Sequence, residues 1–204
     1  MAFVPAPNTI QCDILFMLYG QRVENVVHVE VPGGVDAPTI QDTANEVGNW
    51  VEDSYLPYLS EQIVFLGVEA KNLSIEAGGV AIYNAAANTH GGVNGPAVPG
   101  GTAFCVSLRT AASGRSYRGR KFVPGVPESS RVGNQVTSDY AALMLAAFND
   151  LIAVLTAVDK ILVIVSRIAD GVSRVTAVTT PVTSPAAVDL NLDSQRRRLT
   201  GRGA

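Results

Sequence analysis

The sequence predicts an α+β fold: a largely antiparallel sheet with two main helices packed on it, and extended arms at both termini. Three observations carry that expectation. Short apolar runs alternate with polar residues and are punctuated by 19 Gly and 11 Pro. Two stretches repeat their apolar residues at helical spacing. The order strand, strand, helix, strand occurs twice, a ββαβ arrangement repeated without residue-level self-similarity. A jelly roll would need more strands and fewer strong helices.

The elements follow in order. Thr9 to Val31 reads as a hairpin: Cys12, Ile14, Phe16 and Leu18 share one strand face, and Tyr19-Gly20-Gln21 offers the turn. In its second strand Val27, Val29 and Val31 face one way, and His28 and Glu30 the other. After Pro32-Gly33-Gly34, Asp36 or Thr39 caps a helix that repeats Ile40, Ala44, Val47 and Val51, and Pro57 enforces its stop. Gln62 to Ala70 and Gly79 to Tyr83 read as strands, with Gly78-Gly79 as a bulge or turn. Residues 84–101, rich in Asn, Gly and Ala, are expected to form an exposed loop without ladder partners or a core face. Ala103 to Arg109 alternates as a strand, and Phe122-Val123 closes another. Pro124 to Asn134 reads as loop. Thr137 or Ser138 then caps a long helix whose Tyr140, Met144, Ala147, Leu151, Val154 and Val158 track one face, ending at Lys160. Ile161 to Arg167 is apolar on both faces and reads as central in a sheet. Thr176 to Val188, broken by Pro181 and Pro185, suits a sheet edge or an arm.

Composition fits one structural domain over residues 1–204. Apolar residues make up 47% of the 204 and charged residues 16%, a globular balance. A chain of this size buries roughly 70% of its unfolded surface and needs no metal or disulfide staple. The net charge of −3 hides a division. Residues 1–108 hold Arg22 and Lys71 against eleven carboxylates, a balance of −9, and residues 109–204 hold thirteen cations against seven carboxylates, +6. Either the halves neutralise each other within one subunit, or an acidic face of one copy meets a basic face of the next, which favours head-to-tail assembly. Cys12 and Cys105 lie in apolar alternating runs and read as small buried hydrophobes. A single bridge between them stays open. The start, Met1 to Asn8, lacks the basic and apolar regions of a signal peptide and is Pro-rich enough to serve as an arm. Ala141 to Val165 is interrupted by Asn149, Asp150, Asp159 and Lys160, against a membrane span.

Catalytic chemistry is not expected. His28 and His90 have no Ser, Cys or carboxylate at a motif spacing, so no triad is argued. Cys and His do not cluster as zinc would require. Glu52 and Asp53 are adjacent, diverge by about 100° on a helix and so do not share a site; they are expected to solvate its outer face. Gly91-Gly92, Gly95 and Gly100-Gly101 lack the spacing and the Gly-Lys-Ser/Thr of a phosphate loop. No catalytic, cofactor-binding or metal-ligating residue is assigned, and no small-molecule substrate.

The basic segment Ser113–Gly125 carries the most information. Arg115, Arg118, Arg120 and Lys121, with Tyr117 and Phe122, sit in a Gly-punctuated run of a chain otherwise poor in charge. On one strand Arg118 and Arg120 share a face while Lys121 opposes them. Guanidinium groups suit planar contacts with carboxylate or phosphate, and the aromatics add stacking surface. A second cationic cluster, Arg196, Arg197, Arg198 and Arg202, lies in a C-terminal basic arm at 189–204. Both clusters are expected to contact a neighbouring subunit or a nucleic-acid backbone, the latter in a salt-dependent, sequence-blind way. A solvated loop and a frayed tail are the plain alternatives.

The segment Ser113–Gly125, the run Thr179-Thr180-Pro181-Val182-Thr183 and the ending Asp193-Ser194-Gln195-Arg196-Arg197-Arg198-Leu199-Thr200-Gly201-Arg202-Gly203 resemble small virion structural, coat-type proteins of environmental viruses and phages. The resemblance implies a virion location and self-assembly into a large homo-oligomer around genomic nucleic acid, with no family site residues to carry over. The expectation is a viral structural protein, foremost a coat subunit. A tail or connector component is the alternative within that class. A small nucleic-acid-binding module is the rival outside it.

Overall fold

The computed structural model describes residues 9–31, 35–73, 79–98, 102–110, 116–132, 135–155, 161–169 and 173–179. The first strand pair is β1 (Thr9–Leu18) and β2 (Gln21–Glu30), in antiparallel register from Thr9↔Glu30 to Leu18↔Gln21. Tyr19 and Gly20 join them at φ 51 and 74, the two positive values of a type I′ turn, whose twist matches the strands it connects. Helix α1 (Ala37–Trp50) starts at Asp36, whose side chain accepts the Thr39 N–H at 2.8 Å, with Pro38 in the first turn where a missing N–H costs nothing. Ile40, Ala44 and Val47 are buried, as the helical spacing predicts. The helix does not run on to Pro57 unchanged. It widens into a π turn, Val51–Tyr55, and tightens into a 3₁₀ turn, Leu56–Tyr58.

Strands β3 (Ile63–Asn72) and β4 (Val80–Asn84) complete a four-stranded antiparallel sheet in the order β2-β1-β3-β4. Its inner face carries Cys12, Ile14, Phe16, Phe65 and Val68, each essentially inaccessible to solvent. Helix α1 packs on that face against β1, β3 and β4. The approach is close because Gly48 faces the Tyr83 ring: a Cβ there would lie 2.3 Å from Tyr83 Cδ1.

The second half repeats the plan. β5 (Thr102–Thr110) and β6 (Ser116–Val123) form a hairpin. A 3₁₀ turn (Glu128–Ser130) and the two-residue strands β7 (Arg131–Val132) and β8 (Gln135–Val136) lead to α2 (Ser138–Val154). Then come β9 (Ile161–Ala169) and β10 (Ser173–Thr179), and the sheet order is β10-β9-β5-β6. Each unit is therefore ββαββ, with its first and third strands central, its second and fourth at the edges, and every pairing antiparallel. β9 is central, as its two-sided apolar pattern requires, and β10 is an edge. Thr137 caps α2 by accepting the Tyr140 N–H at 3.3 Å. The helix closes at Val154 with Leu155 as its cap, short of Val158 and Lys160, which lie outside the described residues.

The two units share a core. Trp50 stacks on Tyr55 with ring centroids 5.1 Å apart and planes 9° apart, and both rings meet Phe148 of α2. Residues five apart on a regular α-helix diverge by roughly 140°, so the π turn is what brings Tyr55 beneath Trp50. Trp50 Nε1 donates to the Ala147 carbonyl at 2.6 Å, fastening α1 to α2. Phe16 and Phe65 of the first sheet extend the same cluster.

The segment between β4 and β5 corrects the sequence expectation. Most side chains of 85–98 are exposed or half-buried, yet the backbone does find ladder partners. Val93 bridges Ser60, His90 bridges Val64 and Ala97 bridges Pro127. The Gly91 N–H donates to Ile63 O at 3.1 Å, and Phe65 N–H to Thr89 O at 2.9 Å. A Cβ at Gly91 would lie 2.1 Å from the Ser60 carbonyl oxygen, so the absence of a side chain is what permits the pairing. Ala97 and Val98 are buried, and Val98 N–H donates to Val126 O at 2.8 Å. The Gly-rich run is a strap that crosses from the first unit to the second.

Candidate interaction surface

The cationic residues singled out in the sequence fall into two groups. Tyr117, Arg118, Arg120 and Lys121 all lie on β6. Their backbone register is Tyr117↔Leu108, Arg118↔Ser107, Arg120↔Cys105 and Lys121↔Phe104, without a bulge. Alternation along such a ladder puts Arg118 and Arg120 on one face of the sheet, and Tyr117 and Lys121 on the other. Arg115, Arg196, Arg197, Arg198 and Arg202 lie outside the described residues, as do Met1 to Asn8 and the arm at 189–204. Among the described residues β6 pairs with β5 alone and forms one edge of its sheet. That edge comes into contact with β2, the corresponding edge of the first sheet. Strand β2 of the acidic half thus touches the cationic strand within one subunit, and among the described residues does not pair with it.

The cations of the first half are already matched. Lys71 Nζ donates to Asp13 Oδ2 at 3.1 Å on the outer face of the first sheet, and Gln11 Nε2 donates to Asp13 Oδ1 at 2.6 Å. Asp13 is 5% exposed, so this pair is partly desolvated and stronger than a fully solvated one. Arg22 lies 3.6 Å from Glu69, an exposed pair of small energetic weight. With both cations engaged, the surplus charge of the first half is carboxylate. Asp36 is held below the usual carboxylate range by the Thr39 hydroxyl and the Thr39 N–H, so it stays ionised as a helix cap.

The acidic pair after α1 behaves differently from the expected solvated face. Asp53 is exposed, but Glu52 is half-buried against Tyr83. Burial, then hydrogen bonding to Glu52 and the charges of Glu52 and Asp53, push the Tyr83 hydroxyl up to about 12. His28 sits on the outer face of β2 opposite Gln11, and His90 Nδ1 lies 3.1 Å from the Glu61 carbonyl oxygen. Among the described residues no group of three His, Cys, Asp or Glu is placed to hold a metal ion, and no helix is long and apolar enough to cross a membrane. Cys12 is a free thiol buried in the core, where desolvation and the neighbouring Asp13 charge raise its pKa far above normal.

One surface escaped the sequence reading altogether. β4 is the outer edge of the first sheet and exposes Val80 at 57% and Ile82 at 52%. The alternation Val80, Ile82 against Ala81, Tyr83 was readable. What could not be read was that β4 has a strand on one side only. No protein-family model matches the chain, and neither a curated protein nor a solved structure matches it.

Proposed function

We propose that this chain is a virion structural protein that assembles from many copies of itself, foremost as a coat subunit. The supporting observation is the placement of the guanidinium-rich strand β6 at a sheet edge rather than in a sheet interior. Cations on an edge strand are in reach of partners, and Arg is suited to carboxylate or phosphate on another molecule. The acidic surplus of residues 1–108 supplies carboxylates on a neighbouring copy, and a packaged polyanion supplies phosphate. On this reading Arg118, Arg120 and Lys121, with Tyr117 beside them, contact a neighbour or the genome. Arg115 and the C-terminal arginines, Arg196, Arg197, Arg198 and Arg202, do the same from the adjoining segment and the arm.

Electron microscopy of the concentrated protein, with and without added nucleic acid, tests the proposal. Closed shells are expected, and the triple change Arg118→Ala, Arg120→Ala, Lys121→Ala should abolish them while circular dichroism stays native. Tubes or small rings would reassign the protein to a tail or connector. A chain that stays a monomer or dimer and loses nucleic-acid affinity steeply with salt would be a binding module instead.

A further inference from the structure

The strap between the two units contains the one Asn-Gly pair of the chain, Asn94-Gly95. The side-chain amide of an asparagine can be attacked by the backbone nitrogen of the residue that follows it, closing a five-membered ring. That nitrogen must be unshielded, and glycine has no Cβ to shield it. Every other asparagine is followed by Thr, Val, Glu, Trp, Leu, Ala, Gln or Asp. The fold leaves the pair open and supplies it with a base. Asn94 is exposed, and a Cβ built at Gly95 would meet nothing within 4 Å. The Gly95 N–H, the group that must give up its proton, donates to Glu61 Oε1 at 3.3 Å. Neighbouring bonds hold the two residues together. Glu61 N–H donates to Val93 O at 2.7 Å, Val93 N–H to Leu59 O at 2.9 Å, and the Ser60 hydroxyl to Gly95 O. Gln62 Oε1 accepts the Ala97 N–H at 2.9 Å. Ser60, Glu61 and Gln62 thus grip the strap in succession, and Glu61 alone of the three brings a charge. Among the described residues no cation pairs with it.

We propose that Asn94-Gly95 is a self-modification site with Glu61 as its general base. The Gly95 nitrogen bonds to Asn94 Cγ as its proton passes to the Glu61 carboxylate. The Cγ–Nδ2 bond then breaks, and the proton held by Glu61 leaves with the amide nitrogen as ammonia. Water opens the resulting succinimide at either carbonyl and leaves aspartate or isoaspartate at position 94. Nothing is oxidised or reduced, and the Glu61 carboxylate is regenerated. Either product adds a carboxylate next to the residue whose N–H Glu61 holds. Like charges repel, so the grip on the strap weakens once the reaction is complete. Each copy thereby carries a one-way change, set by the time since it folded, in the segment that joins its two units.

Incubating the full chain at neutral pH in heavy-oxygen water, with peptide mapping by mass spectrometry, tests the proposal. Residue 94 should lose its amide nitrogen, gain one solvent oxygen and appear as both aspartate and isoaspartate. The folded chain should react faster than the same chain in urea, where Glu61 is no longer held against Gly95. The expected ratio is about 100-fold, the lower end of what a positioned base supplies, because the contact is long. Glu61→Gln keeps an oxygen that can accept the Gly95 N–H but removes the base. It should bring the folded rate down to the rate in urea, with circular dichroism and the urea midpoint confirming that the variant is folded. If the folded chain reacts more slowly than the chain in urea, the grip protects the pair and the proposal is overturned. It is also overturned if Glu61→Gln reacts as fast as wild type, or if Asn88, exposed on the same strap but followed by Thr89, is converted as fast as Asn94.

Discussion

Replacing Gly48 with Ala sets two physical effects against each other with opposite signs. An Ala in a helix interior is favoured over Gly by ~1 kcal/mol, so α1 considered alone should be stabilised. The packing says the reverse. The new Cβ would lie 2.3 Å from Cδ1 and 2.4 Å from Cγ of Tyr83, far inside van der Waals contact. Cγ is the stem of the ring, so Tyr83 cannot swing only its tip aside. Either the ring or the whole of β4 must move away from α1. That also disturbs the stack of Tyr83 on Phe65, whose centroids are 6.3 Å apart. Overpacking of this kind costs ~1–3 kcal/mol, and loss of the aromatic pair adds ~0.5–1.5 kcal/mol. Net of the helix gain, Gly48→Ala should destabilise by ~1–3 kcal/mol. Urea unfolding followed by far-UV circular dichroism measures it, and the midpoint should fall with the slope unchanged. A midpoint equal to or above wild type would refute the close approach of α1 to β4, and with it the placement of the β4 edge.

Three further outcomes follow from the core. Tyr140 is 4% exposed and its hydroxyl has no hydrogen-bond partner among the described residues, so Tyr140→Phe should raise stability by ~1 kcal/mol in the same urea experiment. Trp50→Phe forfeits the hydrogen bond to Ala147 and leaves a void between the two helices, and should cost ~2–4 kcal/mol by circular dichroism. Burial raises the hydroxyl pKa of Tyr55, Tyr83 and Tyr140. An acid whose folded pKa is raised holds its proton more tightly folded than unfolded, so its contribution is complete below the unfolded value and drains away as pH rises. Stability should therefore be flat up to about pH 10 and then fall by up to ~1.4 kcal/mol per pH unit for each of the buried Tyr55 and Tyr140, with a smaller, solvent-screened share from half-buried Tyr83. Urea midpoints between pH 8 and 12 check this, and Tyr140→Phe should make the fall shallower.

Much of the architecture was legible because it rests on local rules. Period-two alternation marked β1, β2, β3 and β5, Asp36 and Thr137 marked both helix starts, and the apolar-on-both-faces run of β9 marked a central strand. The repeated strand–strand–helix–strand order became a shared ββαββ plan with a fourth strand in each unit. Three features were hidden because they depend on distant residues. The strap at 85–98 looks like loop by composition, yet its Gly91 and Gly92 are where the Leu56–Ile63 backbone approaches. The π turn is set by Tyr55 stacking on Trp50, and nothing local in Val51–Tyr55 announces it. The open edge of β4 is a fact about which strand is missing beside it. For the site, the alternation of Arg118 and Arg120 against Lys121 was readable only on the condition that the run is a strand, whereas its place on β6 and the meeting of β6 with β2 needed the tertiary fold.

Sedimentation velocity of the unmodified chain across a concentration series at low ionic strength bears most directly on the assembly claim. Self-assembly requires the 21.4 kDa species to give way to discrete particles of many copies as concentration rises, and salt to reverse the change. A single subunit-sized boundary at every concentration, unmoved by nucleic acid, would contradict it.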